Sequence, residues 1–291
     1  MQVVLHAGAH FTDDDRLIEC MLRNRDTLAA AGTYIPEPRT YRRVLRATIH
    51  NALYHGLTGQ GIDAVHECLS IDGSMTRLIL SNNSFFGTPK MAVGRGLFYP
   101  NAEERLAVFQ DVFEECSVEL FLGLRNPATL LPTLFASVPA RDMDTFLSEF
   151  EPEEFRWSDT LGVLCDRFPD IAITVWCNED SPLIWGQILR EMGGLAPNAT
   201  IEGEFDLLKE IINEKGWSRF EKFIRKRPTL SEAQKRRVVL TFLEAFVKLD
   251  EIEEEFDLPG WDDARIEDLT EAYDEDIETI SRLPGVTLLA P

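Results

Sequence analysis

The opening of the chain constrains its fold most. Val3-Val4-Leu5 is a short apolar run that passes into His6-Ala7-Gly8-Ala9-His10-Phe11-Thr12-Asp13-Asp14-Asp15, after which Leu17, Met21, Leu22 and Leu28 recur at helical spacing. A buried strand, a glycine turn and a helix N-terminus together hold phosphate in many proteins, because unpaired backbone N–H groups converge there. This turn carries no lysine and is followed by three aspartates. Two readings follow. Either Gly8 lets the backbone approach closely and N–H groups around Phe11 to Asp14 face an anion, or Thr12 or Asp13 caps the first helix while the adjacent aspartates favour its positive end.

The strand–helix alternation recurs along the chain. Strands are predicted over residues 2–6, 77–81, 118–124 and 171–176, each a continuous apolar run. Helices are predicted over about 13–31, closed by Gly32, over 103–115, from Pro127 onward, and through about residue 192. A further helical region, 41–69, is interrupted by Gly56, Gly59 and Gly61. Strands that do not alternate, each followed by a helix, predict an α/β sheet covered on both faces. From about residue 205 the chain reads as almost entirely helical. One apolar stripe runs Val238, Val239, Phe242, Phe246, Leu249, Ile252 and Phe256, and another runs Leu269, Tyr273, Ile277 and Ile280. No Pro/Gly/Ser-rich linker separates this tail, so residues 1–291 are expected to form one domain with a mostly helical portion over about 205–291.

Charge narrows the function classes. The 291 residues hold 50 acidic and 29 basic side chains, a formal net charge of -21, which argues against the basic footprint that nucleic-acid binding needs. The excess is uneven. Residues 209–237 are net basic, whereas 244–278 are strongly acidic. Glu253-Glu254-Glu255 and Asp274-Glu275-Asp276 read as solvated helix faces that pair with the basic stretch, and the basic stretch also suits an acidic acceptor or protein partner. No apolar run reaches membrane-spanning length, and the N-terminus lacks the features of a signal peptide, so no membrane partner and a cytoplasmic location are expected. Cys20, Cys68, Cys116, Cys165 and Cys177 are odd in number and widely spaced, which predicts free thiols.

Few residues offer chemistry. Arg125 stands at the carboxyl end of a predicted central strand, where ligands bind in open α/β sheets, and its planar fork suits a phosphate or sulfate group. Thr133 follows about two helical turns later. The same position lets Arg125 pair with an acidic neighbour across the top of the sheet. Asn82-Asn83-Ser84 ends another strand, and neither amide titrates as a general base near neutral pH. His6 and His10 are four apart but fall on a strand end and beyond a turn, so they do not share a ligating face, and no metal site is expected.

Taken together, these segments resemble the PAPS-dependent sulfotransferase fold family, particularly bacterial sulfotransferase-like proteins that open with a His-x-Gly-x-His-Lys-Thr-Gly-Thr-Thr pattern. The likeness runs through His6 to Asp15, Leu80-Ser81-Asn82-Asn83, Leu124-Arg125-Asn126-Pro127, the 171–176 strand, Trp261-Asp262-Asp263 and the closing 269–286 segment. It implies a P-loop-like, three-layer α/β sandwich with a central, mainly parallel sheet and additional C-terminal helices. It also implies a cradle for the 5′-phosphosulfate of PAPS at Gly8, His10, Phe11, Thr12, Asp13 and Asp14, with Arg125 and Thr133 on the 3′-phosphate. Members transfer a sulfuryl group to a hydroxyl or amine, using a histidine or glutamate base and a turn lysine. Here Phe11 replaces the lysine, Asn83 or Asn82 replaces the glutamate, and Asp13, Asp14 and Asp15 replace the small hydroxyl residues. The expectation is a sulfotransferase-like protein that has lost PAPS chemistry and acts in binding, regulation or assembly, with a small sulfated or phosphorylated ligand or a protein as partner. The competing expectation is a divergent sulfotransferase that uses PAPS, leaves PAP, and draws its base from His10, His50 or His55.

Overall fold

The computed structural model describes the chain apart from residues 71–74, 141, 149, 249–253, 255 and 257. Strand β1 (Gln2–His6) lies at the centre of the sheet, with Val3, Val4 and Leu5 fully buried. The sheet also contains β2 (Thr33–Tyr34), β3 (Arg77–Ser81), β6 (Ser117–Leu124), β7 (Ala172–Cys177) and β8 (Val286–Leu289), while β4 (Val93–Gly94) and β5 (Leu97–Phe98) form a separate antiparallel pair. The order across the sheet is β2-β3-β1-β6-β7-β8, and every neighbouring pair is parallel. His6 is registered against Ser81 on one side and Phe121 on the other.

The strands read as continuous apolar runs because both faces are covered. Successive side chains point to opposite faces. Val3, Leu5, Leu78, Leu80, Leu120 and Leu122 join the core beneath α3 (Pro38–His55), α4 (Gly59–Leu69), α5 (Ala102–Val112), α6 (Pro127–Ala136), α8 (Trp157–Arg167) and α13 (Asp263–Ile280). Val4, Ile79, Phe121 and Trp176 join a second core with α1 (Arg16–Arg23), α2 (Arg25–Ala30) and α9 (Ser181–Gly193). The short α7 (Met143–Leu147) adds Phe146 and Leu147 to the first core. A third cluster, Leu208, Ile212, Phe220 and Val239, joins α10 (Asp206–Ile211), α11 (Glu214–Arg225) and α12 (Glu232–Phe246), with α12 packed on α9. The α/β fold, its parallel sheet and its flanking and C-terminal helices match the sequence expectation.

Several boundaries differ for local reasons. The single helix expected over 13–31 is two helices, because Asn24 interrupts it. The Asn24 side chain donates to the carbonyls of Cys20 and Glu202, a competition with the helical ladder that asparagine is suited to. The helix also starts later, at Arg16, since Asp14 and Asp15 take φ values of 46° and 66°. The stripe expected to run from Val238 to Phe256 stops at Phe246, where Val247 turns extended. Leu249 and Ile252 lie outside the described residues, and Phe256 packs against the first core. The tail is not all helix, because β8 extends the sheet beside β7. Asp276 was expected on a solvated face, yet it is buried at 4% exposure, where its carboxylate accepts from the backbone N–H groups of Trp157 and Ser158. It therefore caps α8 from the neighbouring α13.

Candidate functional site

Chain order reverses around β1, whose neighbours β3 and β6 are reached in opposite directions, so the crevice outside the carboxyl ends of these strands is the expected ligand position. The turn after β1, Asn82-Asn83 after β3 and Arg125 after β6 all lie at this edge. Gly8, at φ 102°, lets the turn run against the β3 end: a Cβ there would stand 2.9 Å from the Asn83 carbonyl oxygen. That close approach is a requirement only glycine meets.

Three N–H groups of this turn, those of Ala7, Ala9 and His10, are already used. Ala7 donates to the Phe121 carbonyl and Ala9 to the Gly123 carbonyl, so pairing with β6 continues past the end of β1. The His10 N–H donates to the Tyr99 hydroxyl at 2.9 Å. Thr12 donates its hydroxyl back to the Ala9 carbonyl, and Asp13 accepts from the Leu17 N–H at 3.2 Å. The Asp13 carboxylate thus serves an N–H group of the first turn of α1, as the capping reading expects.

The aspartates have separate fates. Asp13 is buried, with Oδ1 lying 4.0 Å from His6 Nε2, while His6 Nδ1 meets Ser81 Oγ at 3.0 Å. Both Asp13 Oδ1 and His6 Nε2 lack a hydrogen-bond partner among the described residues. Burial pushes the His6 pKa down, against the nearby Asp13 charge. Asp14 points outward beside Arg16. Asp15 meets Arg42 through two nitrogens, at 2.7 and 2.6 Å, and Arg42 Nε donates to the Ser81 carbonyl. The Asp15 carboxyl is held below its ordinary value chiefly by these hydrogen bonds. Tyr41 fixes the same strand end, with its hydroxyl donating to the Ser81 carbonyl and accepting from the Ser81 N–H, and burial pushes its phenol up to about 12.

His10 stacks on Tyr99, and its Nδ1 lies 2.7 Å from the Tyr99 hydroxyl. That hydroxyl also accepts the His10 N–H, and its pairing with Nδ1 is met by either imidazole tautomer, since the phenol both donates and accepts. Burial lowers the pKa of His10 to about 4. Its Nε2 is buried without a partner among the described residues, and an imidazole whose pKa is this low is a weak general base near neutral pH. Asn83 is half-buried with its Oδ1 near Ser84 Oγ, and Asn82 Oδ1 accepts from the Ser84 N–H. His50 and His55 sit on exposed positions of α3, away from this edge.

Arg125 is the centre of the edge. Its side chain is 7% exposed. Nη1 donates to the Phe11 carbonyl at 2.8 Å, Nε to Thr129 Oγ1 at 3.0 Å, and Nη2 to Thr133 Oγ1 at 3.4 Å. Nη2 also meets both oxygens of Glu254, at 2.8 and 2.5 Å. Arg125 and Thr133 therefore adjoin, as the resemblance implied, and the acidic neighbour anticipated for Arg125 is Glu254. Thr129, Tyr99 and Trp157, whose indole N–H donates to the Arg125 carbonyl, were not singled out in the sequence. Next to them, the Asn126 N–H donates to Glu179, which also receives the Tyr273 hydroxyl.

The two arginines at this edge are engaged by the chain's own acceptors. The turn directs the Phe11 carbonyl toward the guanidinium, Glu254 holds the remaining N–H edge, and Arg42 is committed to Asp15. A large cleft of about 780 Å³ opens at the opposite, amino-terminal edge of the sheet, beside Met1, His66 and Cys116. No helix among the described residues is long and apolar enough to cross a membrane, and none of their His, Cys, Asp and Glu side chains form a metal-holding group. No family model, curated protein or solved structure matches the chain.

Proposed function

We propose that this chain is a sulfotransferase-like protein whose donor site is closed by its own residues, and that it works through binding, in a regulatory or assembly role, rather than through sulfuryl transfer from PAPS. The observation that supports this reading is the occupancy of Arg125, whose guanidinium is shared among the Phe11 carbonyl, Thr129, Thr133 and Glu254. The loss of a turn lysine at Phe11 and of a titratable base at Asn83 removes the charge stabilisation and proton transfer that the reaction needs. His10, the candidate base at this edge, is buried with its pKa lowered to about 4 and its Nδ1 bonded to the Tyr99 hydroxyl.

One observation favours the transferase reading: Arg125 and Thr133 still adjoin, and Glu254 is half-exposed, so the carboxylate has a path to solvent. Incubation with PAPS and a panel of hydroxyl and amine acceptors separates the two. The binding reading expects no PAP release above the uncatalysed rate. Acceptor-dependent release that is abolished by Arg125→Ala supports the transferase instead.

A further inference from the structure

Three arginines are buried among the described residues: Arg105, Arg125 and Arg190. Arg125 has Glu254, and Arg190 has Glu204 and Glu232. Arg105 has no carboxylate partner among the described residues. Among the described residues its one hydrogen bond runs from Nη1 to the Phe85 carbonyl at 3.1 Å, and its Nε is buried without a partner. A buried guanidinium is costly unless its charge and its donors are matched, so an unmatched one in a chain of charge -21 calls for an anion from elsewhere.

The surroundings of Arg105 are built for one. Helix α3 packs against α5, which carries Arg105, and contains no acidic residue over its whole length. Arg39, Arg43, Arg46, His50 and Tyr54 follow one another at spacings of three and four, which places them on one face. All five are exposed, and none of the three arginines forms an ion pair with a described residue. Arg46 and Tyr54 lie within electrostatic reach of Arg105, as does the exposed Glu104. Tyr54 is 72% exposed, with its ring 5.0 Å from that of His50. With screening over about 8 Å at physiological salt, charges this near outweigh distant ones in setting the local potential.

We propose that the α3–α5 surface binds the oxyanion of a phosphate- or sulfate-bearing small molecule, with Arg105 and Arg46 taking the oxyanion and Tyr54 packing against the flat body that carries it. Planar guanidinium forks match the oxygen geometry of both esters, and an exposed ring beside them supplies apolar contact area. This site shares no residue with the Arg125 cluster and does not depend on whether Arg125 is closed.

Calorimetric titration of the full chain with phenyl phosphate and phenyl sulfate tests it, with inorganic phosphate as the comparison. Saturable binding of at least one ester is expected, tighter than inorganic phosphate, and the tighter of the two esters identifies the source of the oxyanion. The exposed substitution Arg46→Glu is expected to weaken binding by about tenfold or more. Tyr54→Ala is expected to reduce the ester to the affinity of inorganic phosphate, and Arg125→Ala to leave binding unchanged. Arg105→Met is expected to abolish binding, with Arg46→Glu as the readout that survives if that buried change unfolds the chain. Absence of saturable binding of both esters at about 10 mM, or binding that Arg46→Glu leaves intact, overturns the proposal. Loss of ester binding in Arg125→Ala also overturns it, by moving the ligand to the strand-end edge.

Discussion

Both carboxylate oxygens of Glu254 rest on one nitrogen of Arg125, Nη2, across 129 positions of sequence. Arg125 is almost wholly buried while Glu254 is half-exposed, so the pair is asymmetric: removing the glutamate leaves a buried cation, whereas removing the arginine releases a carboxylate to water. Glu254→Gln is expected to free the Nη2 edge for an external anion. In thermal unfolding, inorganic sulfate should then raise the midpoint more for Glu254→Gln than for the parent chain. The Arg125→Met/Glu254→Gln double variant should lose that difference, which removes the general stabilising effect of sulfate from the comparison. Equal sulfate responses in all three proteins contradict the assignment.

Tyr99 and His10 make a second testable unit. The Tyr99 hydroxyl accepts the buried His10 N–H and is hydrogen-bonded to His10 Nδ1, so Tyr99→Phe strips a partner from two groups at once. A buried donor left unsatisfied costs about 1–3 kcal/mol. Urea unfolding of Tyr99→Phe should show a loss in that range with an unchanged denaturant slope. A loss near zero shows that the hydroxyl does not hold the turn.

The pH dependence follows from the two buried histidines. The pKa of His6 is lowered by burial, and burial brings His10 to about 4. Both are neutral when folded, while the unfolded chain protonates them near 6.5, so the unfolded state binds more protons between about 4 and 6.5. Their stabilisation is complete above pH 6.5 and is lost as pH falls toward 4, by about 3 kcal/mol for His10 at 1.36 kcal/mol per pKa unit. Asp15, held low by Arg42, adds a loss at still lower pH, because a depressed carboxyl stabilises above its unfolded value and ceases to do so as pH falls through the folded one. Unfolding free energies across pH 7.5 to 4 should fall, and His10→Gln should flatten the slope. An identical slope in His10→Gln contradicts the assignment.

The apolar strands were legible because burial on both faces writes itself as an unbroken Val/Leu/Ile run, as in Val3 to Leu5 and Leu78 to Leu80. β8 was not, since only Leu289 of its four residues is buried. The adjacency of Arg125 and Thr133 was legible from strand-end placement and helical spacing. Its saturation by Glu254 was not, because an isolated Glu253-Glu254-Glu255 run reads as solvated surface and nothing local marks one member as reaching the far end of β6. Asp15–Arg42 and His10–Tyr99 were hidden for the same reason: each joins residues far apart in sequence that meet only when the parallel sheet aligns its carboxyl ends.

Asp276 shows how a charge run can mislead in the opposite direction. It lies between exposed acids on α13 but caps the N-terminus of α8 through Trp157 and Ser158. Asp276→Ala is expected to cost about 1–2 kcal/mol, as loss of a helix cap does, and Asp276→Asn to recover much of it by retaining an acceptor. Matched losses at Glu275→Ala, an exposed neighbour, would show that the cap contributes nothing special.

The occupied state of Arg125 is tested most directly by calorimetric titration of PAP into the full chain, into Arg125→Ala and into Arg46→Glu. The closed state of Arg125 predicts no PAP binding at micromolar concentrations that depends on this residue: any binding to the parent chain is kept by Arg125→Ala and lost in Arg46→Glu, as the α3–α5 surface requires. Saturable micromolar binding to the parent chain that Arg125→Ala removes contradicts it.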